Sequence, residues 1–236
     1  MNRPTLLICG LAALLAFSSR AEEKSAHNTL TKQESAEGWA LLFDGKTTEG
    51  WRGFKKSTFP EKGWVVEAGT LKHVAGGGGG DIVRSEKFSE FELSWEWMIP
   101  PGANNGIKYY ILEERGGAIG HEYQMIDDVA SKSIPKHCTA SFYDVLPPAI
   151  PSKSNKPGEW NHSRIVSKDG KVEHWLNGTK VLEYVLGSQE VKEAVAKSKF
   201  KPVAGFGEQQ NGLILLTDHN DEASYRNIKV RDLSKK

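Results

Sequence analysis

Cysteine is scarce in this chain: there are two in 236 residues, Cys9 and Cys138. Cys9 falls in an apolar leader. A processed chain would therefore carry one thiol and no internal disulfide, and a hydrophobic core has to supply the stability. Cys138 is expected to be a partly buried, unreactive thiol. An excess of charge is also missing, since 31 Lys and Arg stand against 30 Asp and Glu. Without a basic block to grip phosphate or anionic lipid, nucleic acid is excluded as a partner. No apolar run after the leader is long enough to span a bilayer, so stable membrane insertion is not expected. The common catalytic signatures are absent too: a Walker loop, HExxH, paired CxxC and GxSxG around a serine. Gly76 to Gly80 is too uniform for a dinucleotide fingerprint and reads as a mobile loop. No tight run of alternating carboxylates suggests the acid and nucleophile pair of sandwich-fold glycan hydrolases.

What is present begins with residues 1–21, which have the form of a secretory signal peptide. Arg3 lies before a short apolar stretch from Thr5 to Phe17, and Ser19-Arg20-Ala21 offers cleavage after Ala21. The mature chain would be secreted or periplasmic. Residues 22–36 read as a polar, mobile leader into one domain spanning 37–234. Strand patterns follow. Phe91, Leu93, Trp95, Trp97 and Ile99 alternate with polar residues and Met98, the period of a half-buried strand. Gly106 to Leu112 repeats the pattern, with Ile107, Tyr109 and Ile111 on one side, and His121 to Asp127 follows. Asp169-Gly170 and Asn177-Gly178 are hairpin turns that divide Ser163 to Tyr184 into a meander. Gly212 to Thr217 and Tyr225 to Val230 close the set. One helix is predicted at Gln189 to Lys197, capped by Ser188. The fold class is all-β: an antiparallel sandwich or jelly roll with one short helix.

The candidate chemistry sits on strands that would otherwise be plainly amphipathic. Glu122 and Gln124 share a face, alternating with His121, Tyr123 and Met125, and Asp127 ends the strand beside Asp128. Such a face is either solvated surface or a sugar-binding surface, where each hydroxyl needs a donor and an acceptor. Asp218-His219-Asn220 follows an apolar strand. His219 there is a general base, a metal ligand or part of a hydrogen-bonded turn. Lys108 stands alone among Ile107, Tyr109 and Tyr110, either extended to water or polarising a carbonyl. Asn104-Asn105-Gly106 is a turn or a ligand loop. Of the seven tryptophans, Trp175 is the best placed to be half exposed and to stack on a pyranose ring.

The chain resembles the 3-keto-disaccharide hydrolase domain family. The residues that carry the resemblance are Leu42-Phe43-Asp44-Gly45-Lys46 with Gly50-Trp51, Asn104 to Tyr109, Glu122 to Asp128 and Phe142-Tyr143-Asp144. Gly158-Glu159-Trp160-Asn161, Val172 to Gly178, Asp218-His219 and Tyr225 to Lys229 complete the series. No single motif is decisive, but together they cover residues 37–234. The resemblance implies a concanavalin A-like jelly roll acting on glycosides oxidised to a ketone at carbon 3. A ketone at C3 acidifies the C2 hydrogen, a base removes it, the enolate expels the C1 substituent, and water adds back. One base and one electrophile suffice.

On this resemblance His219 or Glu122 is the base. Lys108 is the electrophile, or a divalent metal held by Asp127 and Asp218 takes that role. Gln124, Asn105, Tyr143 and Trp175 would bind a carbohydrate substrate, which an upstream sugar oxidoreductase would have to supply. The chain has Thr217 and Asn220 where the family commonly has Gln and Gly around the late Asp-His. It also lacks the histidine often found after Asp128. Two other readings stay open on the same fold: a non-catalytic carbohydrate-binding module, and a surface domain that binds protein.

Overall fold

The computed structural model describes residues 27–151 and 153–234. The signal peptide expected over 1–21, including Cys9, lies outside the described residues. Among the described residues thirteen strands form: β1 (Trp39–Leu41), β2 (Trp51–Gly53), β3 (Trp64–Glu67), β4 (Thr70–His73), β5 (Ile82–Phe88), β6 (Phe91–Met98), β7 (Asn104–Ile111), β8 (His121–Ile126), β9 (Asn161–Lys168), β10 (Lys171–Leu176), β11 (Thr179–Val185), β12 (Gly212–Leu216) and β13 (Ala223–Asp232). Among the described residues three short α-helices accompany them: α1 (Lys32–Ala36), α2 (Asp128–Ser131) and α3 (Gln189–Ala196).

The strands make two antiparallel sheets, the sandwich expected of a jelly roll. The larger has the order β11-β10-β9-β6-β13-β4-β3, with β1 also paired to β13, and the smaller has the order β2-β5-β12-β7-β8. The meander and its two turns form at β9 to β11 as predicted. Helix α3 lies where expected, with the Ser188 hydroxyl accepting the Val191 N–H and Val191 and Val195 buried. One helix was expected, and α1 and α2 are additional single turns, each capped by a side chain, Thr31 and Asp127 respectively.

The inner faces interlock through aromatic rings. Phe91, Leu93, Trp95 and Trp97 of β6 are almost wholly buried with Ile107, Tyr109, Tyr123 and Met125 of the facing sheet. Truncating such a ring to Ala costs about 3–5 kcal/mol. Among these apolar groups runs a hydrogen-bonded chain whose direction can be deduced. The Gly207 N–H donates to His121 Nε2 at 3.2 Å, so the ring proton is on Nδ1, 3.0 Å from the Tyr184 hydroxyl. Tyr184 then donates to the Tyr109 hydroxyl at 2.7 Å, and Tyr109 to His174 Nε2 at 2.9 Å. His174 Nδ1 donates to the Ala140 carbonyl at 2.9 Å. Both rings are neutral. Burial holds His121 down at about 3, helped by His174, and holds His174 at about 4.

Three local expectations are corrected. Ile111 does not share a side with Ile107 and Tyr109. Tyr110 takes a left-handed φ of 58°, and β7 carries an extra residue opposite β12 between the Lys108–Leu215 and Ile111–Leu213 pairs. The bulge turns Tyr110 inward to Ser167, 2.6 Å away, and Ile111 outward with Val83, Leu213 and Leu215. The glycine run is packed: a Cβ at Gly79 would lie 2.3 Å from the Lys62 carbonyl, and the Gly80 N–H donates to Asp218 Oδ2 at 2.8 Å. The described part of the polar leader is docked, because Asn28 bonds to Asn227 at 2.6 Å and to the Gly69 carbonyl at 2.9 Å.

Candidate active site

The strand period decides which side chains meet. On β7 and β8, Lys108 pairs with Glu122 and Gly106 with Gln124. Their neighbours Ile107, Tyr109, Tyr123 and Met125 point into the core, so Lys108, Glu122 and Gln124 occupy the outer face of the smaller sheet. The chain after α2 returns along the free edge of β8. Tyr123 bridges Phe142 there, and the Tyr143 N–H donates to the Glu122 carbonyl at 3.1 Å. Phe142 points inward onto Tyr184, 4.9 Å between ring centres, so its neighbours Ser141 and Tyr143 point outward. Two lateral rows result: Leu215, Lys108, Glu122 and Tyr143 in one, Gly106, Gln124 and Ser141 in the next.

These rows hold unpaired polar groups. Among the described residues, Glu122 Oε1, Gln124 Oε1 and Ser141 Oγ are buried without a hydrogen-bond partner. Leaving such a group unsatisfied costs about 1–3 kcal/mol each, so each of the three calls for a partner from water or a ligand. Lys108 Nζ stands 4.0 Å from Glu122 Oε2. Gln124 is oriented by donating Nε2–H to Asn104 Oδ1 at 3.0 Å. Gly106 makes room for the carboxylate, since a Cβ there would lie 2.5 Å from Glu122 Oε1. Burial, then the nearby Glu122 and Asp144, push the Tyr143 phenol up. Beyond Leu215 the apolar outer patch carries Phe54. Phe54 also lines a cavity of about 820 Å³ with Phe59, Pro60, Lys56 and Asp81.

The other predicted residues fall elsewhere. Asn105 is fully buried. Its Oδ1 accepts from the Gly106 N–H at 2.8 Å and from the Thr217 and Tyr225 hydroxyls at 2.7 Å each, which makes it a core hub, and its Nδ2 is a further buried group without a partner among the described residues. The same bonds explain Thr217, whose side chain is turned to Asn105 and the Gly106 main chain. Trp175 lies on the outer face of the opposite sheet. Glu173 holds its Nε1 at 2.7 Å and the Arg164 guanidinium covers its ring at 4.2 Å, so it offers no sugar platform. His219 is exposed just past β12, with no hydrogen bond or ion pair to Glu122 or Lys108 among the described residues.

The two predicted metal ligands do not fit that role. Asp127 caps α2: Oδ1 accepts from Val129 and Ala130 at 3.2 Å each, and Oδ2 accepts from Gly102 at 2.9 Å. The Gly102 and Ala130 N–H groups hold its carboxyl below the usual range. Asp218 accepts from Asn220 at 3.0 Å and Gly80 at 2.8 Å, and sits 2.9 Å from His73 Nε2. Burial works against its charged form, but those two N–H groups and His73 outweigh it and lower its carboxyl. Both carboxylates are taken up by main-chain donors. Among the described residues no three His, Cys, Asp or Glu side chains converge as a metal site.

Two buried residues that bear on these groups, Ser141 beside Gln124 and His73 beside Asp218, were missed from sequence. Ser141 belongs to no strand long enough to show a period. His73 was visible as an inward position of β4, alternating like Leu71, and it braces Asp218 from a fully buried place.

Two packed antiparallel sheets define the class, a jelly-roll domain. Within that class the chain belongs to the family of 3-keto-alpha-glucoside-1,2-lyase-like domains, whose model matches residues 38–231. It is 33% identical over 249 residues to a 3-keto-disaccharide hydrolase of Bacteroides thetaiotaomicron, covering 91% of this chain and 85% of that protein. A candidate glycosyl hydrolase from Parabacteroides distasonis superposes with a TM-score of 0.79 at 33% identity, over 88% of this chain and all of the other. A second from the same organism gives 0.65 at 25% identity, over 83% and 99%.

Proposed function

We propose that the protein is a hydrolase of 3-keto-glycosides that works by elimination and hydration. The observation that carries this is the Lys108–Glu122 pair, 4.0 Å apart, with the unpaired oxygens of Glu122 and Gln124 beside it. The Glu122 carboxylate takes the C2 proton. The Lys108 ammonium stabilises the negative charge that develops on the C3 oxygen. The C1–O bond breaks, and water adds to the resulting C1=C2 double bond. Gln124 and Ser141 accept from, or donate to, ring hydroxyls. The family relationship supports the substrate class, and the family's optional metal has no step here because its expected ligands are occupied. Residues 37–234 act as one catalytic domain, exported by the leader at 1–21. An oxidoreductase that converts a C3 hydroxyl to a ketone must supply the substrate.

The test follows C2 hydrogen exchange in D2O and release of the C1 group from a 3-keto-glucoside. Glu122→Gln is expected to lose both by about 10²–10⁴-fold, and His219→Ala to keep both. Exchange that survives in Glu122→Gln and stops in His219→Ala would move the base to His219 and overturn the assignment.

A further inference from the structure

The segment 136–144 contains a second constellation, centred on Asp144. This residue is 8% exposed and holds a left-handed φ of 61°, a costly conformation for a residue with a Cβ unless its surroundings impose it. Here they do. Oδ1 binds Lys136 Nζ at 2.6 Å and His137 Nε2 at 2.9 Å, and Oδ2 accepts the Lys199 N–H at 2.8 Å. Despite its burial, these partners bring its carboxyl down to about 2. The same groups enclose the neighbouring ring. The His137 imidazole stacks on Tyr143 at 4.7 Å and 22°, and Lys199 Nζ lies 4.4 Å over it. Tyr143 is directly across the strand from Glu122, its main-chain N–H on the Glu122 carbonyl. Its ring is packed against His137 and Lys199, and its phenol is near enough to Glu122 and Asp144 for their charges to add to burial in pushing it up.

We propose that Tyr143 is the acid that protonates the departing glycosidic oxygen, and that Asp144, through His137 and Lys199, is the residue that positions it. This rests on the elimination reading above. Glu122 takes the C2 proton, the electron pair forms C1=C2, the C1–O bond breaks, and the leaving oxygen takes the Tyr143 proton. That leaves a carboxylic acid at Glu122 and a phenolate at Tyr143. In hydration the phenolate takes a proton from water, the hydroxide adds at C1, and Glu122 returns its proton to C2. Both residues regain their starting states and one water is consumed.

The test compares two 3-keto-glucosides, one with a methoxide and one with a 4-nitrophenoxide leaving group. The second departs without help from an acid. Tyr143→Phe is expected to lose about 10²-fold on the methyl glycoside and less than about tenfold on the nitrophenyl one, with C2 exchange retained in both. Asp144→Asn and His137→Gln should shift the same ratio in the same direction. The His137 variant leaves the other Asp144 bonds in place should Asp144→Asn not fold. Equal losses on both substrates in Tyr143→Phe overturn the acid role. A changed ratio in Tyr143→Phe alone overturns the positioning role. The parent reading fails separately, if Glu122→Gln keeps C2 exchange.

Discussion

At the scale of single residues, the site depends on one missing side chain. Gly106 has an ordinary φ, so Ala is conformationally allowed there, yet its Cβ would lie 2.5 Å from Glu122 Oε1 and 3.2 Å from Cδ. Its Cβ would also meet Glu122 Cγ at 3.1 Å, and Glu122 is buried, so the side chain has to be displaced within packed surroundings. Gly106→Ala is therefore expected to cost about 1–3 kcal/mol of stability and to lower kcat at least about tenfold, because a base displaced by an ångström loses its geometry. Thermal unfolding and turnover on the same sample check this. Unchanged turnover would mean that the carboxylate is not held over Gly106 in solution. Ser141→Ala separates binding from structure. It removes an unpaired buried hydroxyl, so stability should hold or rise slightly, and KM should rise about 5–30-fold, equivalent to 1–2 kcal/mol of binding, if that hydroxyl meets substrate.

At the scale of elements, the hydrogen-bonded chain from Gly207 to Ala140 ties β7 and β8 to β10 and β11 through four side chains. Tyr109 is its centre, accepting from Tyr184 and donating to His174. Tyr109→Phe leaves His174 Nε2 without a donor in a dry core and is expected to cost about 1–3 kcal/mol. Tyr184→Phe should cost a similar amount. The double variant should cost less than the sum, since the shared bond can be lost only once. Urea unfolding of the three variants measures the coupling, and strict additivity would contradict a connected chain. These elements also show how far the sequence could be read. The alternation in Phe91 to Met98, the turns at Asp169-Gly170 and Asn177-Gly178 and the Ser188 cap were legible because each is local. The pairing of Lys108 with Glu122 was not legible, because the register of β7 against β8 across the connection 112–120 is a tertiary property. The bulge at Tyr110 was not legible, because a left-handed residue other than Gly or Asn has no local signature. Nor was the pairing of Tyr143 with Glu122, because a loop edge finds its strand through tertiary contacts and not through period. Asp127 and Asp218 misled for a related reason: a carboxylate capping a helix or tying a glycine loop has the same composition as one holding a metal.

At the scale of the whole molecule, the two neutral core histidines dominate how stability depends on pH, and His162, which burial also pushes down, acts in the same direction. In the unfolded chain each titrates near 6.5, whereas in the folded chain His121 is held at about 3 and His174 at about 4. Between those limits the unfolded state binds more protons, so stability falls as pH falls. The contribution is fully present above about 6.5. Each histidine loses about 1.4 kcal/mol per pH unit below that, or about 4 kcal/mol for the pair by pH 5. Against a typical total of about 5–15 kcal/mol, that fraction is large enough to bring a domain without a disulfide close to unfolding. Asp144, at about 2, acts in a lower window: its stabilisation is present above the usual carboxylate range near 3.8 and is lost only as pH drops from there toward 2. A denaturation series from pH 7.5 to 4.5 should therefore show a decline that starts near 6.5. Replacing both histidines with Gln should lower stability at pH 7.5, where the neutral rings are satisfied, and flatten the curve between pH 6.5 and 5. If the double variant keeps the wild-type slope, the acid sensitivity arises elsewhere and the two rings are not the groups that must be protonated for the sandwich to open.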